Sequence, residues 1–187
     1  MKKLFAIILC ASSAHAETIT STYSNFDLNK CKALSVSVED GGGTWKCKGI
    51  KGYDVIYSDG DLRGTMGFGR DAENQCSARQ SFGHFNSAGI KIEWRMKMGK
   101  PIATIVRWYT DGGEPSVKQD WLVVTKLDQG EACRTAFIDS KYPNANAVAR
   151  QKADTSAKFN CAKDMPKVIS SLPVNANEFA SGVPCTQ

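Results

Sequence analysis

Histidine is almost missing from this chain. Only two occur in 187 residues, and His15 lies in a leader-like segment, which leaves His84 alone in the rest. Sites needing two imidazoles are thereby excluded, the H-E-x-x-H zinc hydrolases and most mononuclear catalytic zinc centres among them. A Ser-His-Asp triad would have to use His84 as its base, and no G-x-S-x-G elbow presents a nucleophile. No C-x-x-C occurs, so thioredoxin-like exchange and zinc-ribbon ligation lack their usual spacing. The glycine-rich stretches Gly41-Gly42-Gly43 and Gly64-Thr65-Met66-Gly67-Phe68-Gly69 match neither phosphate-loop pattern. Asp59-Gly60-Asp61 lacks the remaining ligands of a calcium loop. No metal and no cofactor are expected.

Long apolar runs are also missing. The most apolar stretch, Leu4 to Ala11, is about eight residues, far short of the roughly 20 that a membrane-spanning helix needs. Lys2 and Lys3 precede it and Ala14-His15-Ala16 follows it, the order of a secretory signal peptide cleaved after Ala16. Cys10 invites a lipoprotein reading, but Ile8 and Leu9 stand where bacterial lipoproteins place small residues. Residues 17–187 are then a single domain, periplasmic or secreted, large enough for its own core. No membrane span is expected. Of the 24 basic residues, 22 remain after cleavage against all 19 acidic ones. An excess that small serves solubility and gives no support to a nucleic-acid partner.

Cysteine is abundant by contrast. Cys31, Cys47, Cys76, Cys133, Cys161 and Cys185 form an even set in an exported chain and read as a disulfide framework. Six cysteines allow 15 connectivities. The preferred one joins Cys31 to Cys47 across a hairpin, Cys133 to Cys161 after a long helix, and Cys76 to Cys185.

Period-two alternation broken by turn residues dominates the chain and predicts an α+β fold: an antiparallel meander of about six to eight strands. Strand candidates are Leu34–Val38, Thr44–Cys47, Tyr53–Tyr57, Leu62–Phe68, Ile90–Met98, Ile102–Tyr109, Val117–Leu127 and Ala132–Ile138. Asp59-Gly60 is the expected hairpin turn between two of them. Ile90–Met98 alternates cleanly, and Ile102–Tyr109 is apolar enough for a central strand. Ile92, Trp94, Ile105, Val106, Leu122, Val124 and Phe137 are expected in the core. One short helix, Asp71–Gln80, and one long helix, Asn144–Phe159, should pack on the sheet, the latter closely because its inner face is mostly small. Asp164–Gln187, with three prolines, reads as an irregular strap.

The best guess for a contact site is the glycine-bracketed segment Ser81–Gly89, with His84, Asn86 and Ser87 offering hydrogen bonds. The competing reading is that Phe82 and Phe85 pin a connecting loop to the core. Glu93, Asp54 and Asp120 are the candidates if the chain hydrolyses envelope glycans with carboxylates alone. Lys91 and Arg95 flank Glu93, which lowers its pKa and suits an ion pair, with Arg107 as the expected partner, better than a general acid. Trp45, Trp94, Trp108 and Trp121 offer stacking surface for a sugar-binding or lipid-binding module, or else belong to the core.

Two resemblances add to this. Asn86-x-x-Gly89-x-Lys91-Ile92-Glu93-Trp94-Arg95, Pro101-Ile102-Ala103-Thr104-Ile105-x-Arg107-Trp108, Trp45-Lys46-Cys47, Asp61-Leu62-Arg63 and Ala149-Arg150-x-x-Ala153-Asp154 together resemble a group of uncharacterised secreted proteins of Gram-negative bacteria. That resemblance implies export and a single domain and carries no activity. Trp45-x-Cys47 and Ser87-Ala88-Gly89-Ile90-Lys91 are similar, more weakly, to pieces of the membrane-bound c-type lysozyme inhibitors. This implies an inhibitor-type role toward an envelope or host protein. The leading expectation is a non-enzymatic binding or inhibitor-type protein.

Overall fold

The computed structural model describes residues 18–39, 41–50, 52–111, 118–128, 130–175, 179 and 185. The leader, residues 1–16, lies outside them. Ten strands occur among the described residues: β1 Ile19–Asn25, β2 Lys32–Val36, β3 Gly43–Lys48, β4 Asp54–Gly60, β5 Arg63–Gly69, β6 Asn86–Lys97, β7 Lys100–Thr110, β8 Gln119–Asp128, β9 Glu131–Asp139 and β10 Lys167–Ile169. The single α-helix, α1, is Ala145–Asp154. Strand order is β10-β9-β8-β7-β6-β5-β4-β3-β2, with β1 paired to the free side of β6.

The expected antiparallel meander of six to eight strands with two helices is therefore corrected to a mostly β fold with a mixed sheet and one helix. β10 runs parallel to β9, and β5 meets β6 in parallel at one pair, Arg63 with Asn86. Two strands escaped the alternation argument, each for its own reason. β1 is largely Ser and Thr, and the three-residue β10 hides in the proline-rich strap.

Asp71–Gln80 is not a helix. Asn74 and Gln75 both turn back on Asp71, their amides reaching its carboxylate at 2.8 Å and its carbonyl at 3.1 Å. Such local side-chain bonds compete with the helical ladder, and only a 3-10 turn at Cys76–Ala78 forms. α1 also stops five residues short of Phe159. The hydroxyls of Thr155 and Ser156 take the carbonyls of Gln151 and Ala153 at 2.9 and 2.8 Å, which ends the helix.

Because β5 and β6 touch at one pair, the sheet folds over into two leaves. Val55, Tyr57, Met66 and Phe68 of the β2–β5 leaf meet Ile92, Trp94, Val106, Trp108, Trp121, Val123 and Phe137 of the β6–β9 leaf in one core. Phe68 lies edge-on to Trp94 at 5.8 Å. Gly49 is required here, since a Cβ would sit 2.8 Å from the Trp94 ring and 2.5 Å from the Tyr53 carbonyl. The opposite face of the β6–β9 leaf carries Ala103, Ile105, Leu122, Val124, Ala136 and Ile138 against Ala145, Ala149 and Ala153 of α1. All seven residues expected in the core are buried. β7 is covered on both faces, as its continuous apolar run requires.

The β4–β5 turn falls two residues later than the Asp-Gly signal. β4 runs through Gly60, and Asp61 and Leu62 form the turn with φ of 52° and 58°. Two left-handed residues give the twist a tight hairpin needs. A leucine seldom adopts that conformation.

Cys31–Cys47, Cys76–Cys185 and Cys133–Cys161 are bonded, the pairing preferred above. The last joins β9 to the segment after α1 across 28 residues. Replacing both Cys133 and Cys161 by alanine should therefore lower stability by roughly 3–4 kcal/mol in chemical denaturation. Non-reducing peptide mapping should find these three bridges and no free thiol in residues 17–187.

Candidate functional site: an acidic cavity where the two leaves meet

The sequence between β5 and β6 is latched, not projecting. Asn86 is buried. Its carbonyl oxygen accepts from the Gly64 amide at 3.1 Å, and its amide donates to the His84 carbonyl at 2.9 Å and the Ser81 hydroxyl at 3.2 Å. Ser81 in turn donates to the Gly64 carbonyl at 2.9 Å. Phe82 is buried against Trp108 and Phe137. Of the three expected contact residues, Asn86 thus spends its side chain on the fold, His84 is half-buried and Ser87 is exposed. The second half of the expected loop is the start of β6.

Ser87 opens onto a cavity of about 440 Å³ at the junction of the leaves. Asp59 and Leu62 come from the β4–β5 hairpin, Phe85 and Ser87 from the entry to β6, Tyr109 and Asp111 from the end of β7, and Lys118 and Asp120 from the start of β8. Topology explains the convergence: each is at a strand end on the same rim. Tyr109 and Phe85 expose 43% and 42% of their surface there. Arg63 lies over the Phe85 ring at 4.9 Å and bonds the Gly83 carbonyl and the Asp61 carboxylate, which fixes that ring. Asp59 accepts from the Tyr57 hydroxyl at 3.1 Å, and Asp120 pairs with Arg107 at 3.4 Å. The three carboxylates are not clustered as a metal site; among the described residues no group of three or more such side chains is.

Glu93 lies elsewhere, further along β6 and under α1, paired in register with Ile105. Arg150 holds it at 2.7 Å, Arg95 stands 3.7 Å away and Ser21 donates at 2.5 Å. Arg95 also grips Asp154 through two 2.7 Å bonds. The expected Glu93–Arg107 pair is therefore corrected, because those side chains lie on separate ion pairs. Burial pushes the Glu93 carboxyl up, but hydrogen bonds from Arg150 and Ser21 and the two arginine charges outweigh it, and the net shift is down. Asp54 is paired with Lys46 at 2.7 Å, far from the cavity along β4. Trp94, Trp108 and Trp121 are buried and Trp45 is half-buried, so the tryptophans build the core and not a surface platform.

One residue of consequence escaped the sequence reading. Arg134 is 2% exposed. Its guanidinium lies 4.7 Å from the Trp108 ring centre, 5.2 Å from Phe82 and 5.9 Å from Phe137. Burial pushes it down to about 9, while the three ring faces favour the cation. The signal was a single charge inside the otherwise apolar Ala132–Ile138 run.

Comparison of the chain with family models, with curated proteins and with solved structures found no match. No helix of the described residues is long and apolar enough to cross a membrane.

The Glu93 geometry sets a pH dependence. Its carboxyl is lowered from the usual 4.5 in the folded state, so its stabilising contribution is complete above that value and is lost as pH falls through the folded value. Thermal melts should fall steeply as pH drops from about 5 to about 3. Glu93→Gln should melt lower than wild type at neutral pH and show a shallower fall across that window.

Proposed function

We propose that this chain is an exported, non-enzymatic binding protein of the periplasm, and that its ligand site is the cavity lined by Asp59, Asp111, Asp120, Tyr109 and Phe85. One observation carries the reading: three carboxylates from three separate segments and two half-exposed rings share one concave rim. Carboxylates accept hydrogen bonds from hydroxyls and ammonium groups, and the exposed rings offer flat apolar faces. The ligand this suits is a polar molecule with several donors and one apolar face, such as an amino sugar or a short glycan fragment. Small-molecule sites commonly combine a few fixed polar groups with aromatic walls in this way.

The resemblance to secreted proteins of Gram-negative bacteria supports the compartment, as does a three-disulfide framework in an oxidising environment. An inhibitor that inserts a loop into an enzyme gains less support, because the Ser81–Asn86 segment is tied down. A hydrolase needs one carboxylic acid kept protonated beside a second carboxylate. Glu93 is held as an anion by two arginines, and Asp54 is ion-paired outside the cavity.

Calorimetric titration with glucosamine oligomers and with soluble peptidoglycan fragments tests the proposal. Wild type should bind one of them. Asp120→Asn and Tyr109→Ala should each weaken binding by about 1–3 kcal/mol, with melting temperatures close to wild type. Binding that survives both substitutions would place the site elsewhere. Release of reducing ends on prolonged incubation would overturn the non-enzymatic reading.

A further inference from the structure

Arg134 is a cation sealed between the two leaves. Its Nη1 and Nη2 have no acceptor among the described residues. A buried, unpaired charge is among the most costly features a fold can carry. Ring faces offset part of that cost but accept no in-plane hydrogen bond from the guanidinium edge, which is built to meet a carboxylate with two parallel donors.

The surroundings specify what else such a ligand would need. Phe82 and Phe137, two of the three rings around the guanidinium, also contact Phe179 at 5.9 and 5.0 Å, and Phe179 lies 4.6 Å from the Trp121 ring. Phe179 is 4% exposed. It reaches this cluster of rings from the C-terminal part of the chain. Its ring occupies space walled by Phe82, Trp121 and Phe137, and two of these rings also face Arg134.

We propose that the interior between the leaves is a second ligand site, independent of the acidic cavity, that takes a small amphiphilic carboxylate. The carboxylate accepts from Nη1 and Nη2 of Arg134, and the alkyl or aromatic body replaces the Phe179 ring against Phe82, Trp121 and Phe137. No covalent step is involved. Occupied pockets of this kind arise when a ligand selects a conformation that the free protein visits rarely.

Thermal melting of the disulfide-intact mature protein with sodium decanoate, decanol or decyltrimethylammonium, each below its micellar concentration, tests this. Decanoate should raise the melting temperature in a saturable way, and the uncharged and cationic analogues should not. Arg134→Met should melt at or above wild type without ligand and lose the decanoate shift. Arg134→Lys keeps the charge without the fork and should bind on the order of tenfold more weakly. Equal shifts from decanoate and decanol, an undiminished decanoate shift in Arg134→Met, or no shift in wild type would each overturn the proposal. A sharp drop in the ligand-free melting temperature of Arg134→Met would also overturn it, by making the cation part of the architecture. Because Asp120→Asn lies outside this chamber, it should leave the decanoate shift intact, so the two sites fail or stand separately.

Discussion

Everything in this molecule hangs on the crossing from β5 to β6. The ladder there is a single pair, too little backbone bonding to hold two leaves at a fixed angle. Asn86 supplies the rest: one side chain bonds the Gly64 amide, the Ser81 hydroxyl and the His84 carbonyl, and its own amide bonds the Leu62 carbonyl at 2.9 Å. The bonds to Gly64 and Ser81 are buried, where an unmade bond costs more than a made one gains. With the crossing locked, the two leaves close on Trp94 and Trp108, and the strand ends on one rim converge around the acidic cavity. The left-handed conformation of Leu62 follows from the same constraint, since its carbonyl must reach the start of β6.

The charges of the central leaf fall into separate groups. Under α1, Glu93, Arg95, Arg150 and Asp154 satisfy one another and clasp β1, β6 and the helix together. That network is complete and leaves nothing over for a ligand. At the rim, Asp59, Asp111 and Asp120 are only half-buried and face open space. Between the leaves, Arg134 is closed in. The rim carboxylates thus stay partly open to solvent, whereas the most conspicuous acidic residue of the sequence, Glu93, is held by Arg150 and Arg95.

Much of this was legible in the residues themselves. Alternation located β6 to β9 and their buried positions, because the side-chain period of a half-buried strand is written directly in hydrophobicity. Spacing and element order were enough to prefer the disulfide pairing that forms. What stayed hidden depends on tertiary contact. The Ser/Thr-rich β1 carries no apolar period. Asp71–Gln80 has helix-compatible composition but is captured by the Asp71 carbonyl and carboxylate. Asp59, Asp111 and Asp120 lie far apart in the chain, and nothing local says that three strand ends share a rim. Asn86 and Ser87 were singled out together, yet a one-residue step on a strand sends one inward to the latch and the other to the cavity.

The account rests most on that rim being the ligand surface. Amide chemical-shift mapping of the isotopically labelled mature protein against soluble glycan fragments tests it directly. The account predicts shifts that map to Ser87, Tyr109, Asp111 and Asp120, with Glu93 and its arginine partners unmoved. Shifts centred on the Glu93 cluster, or confined to the exposed face of β2 and β3, would contradict it.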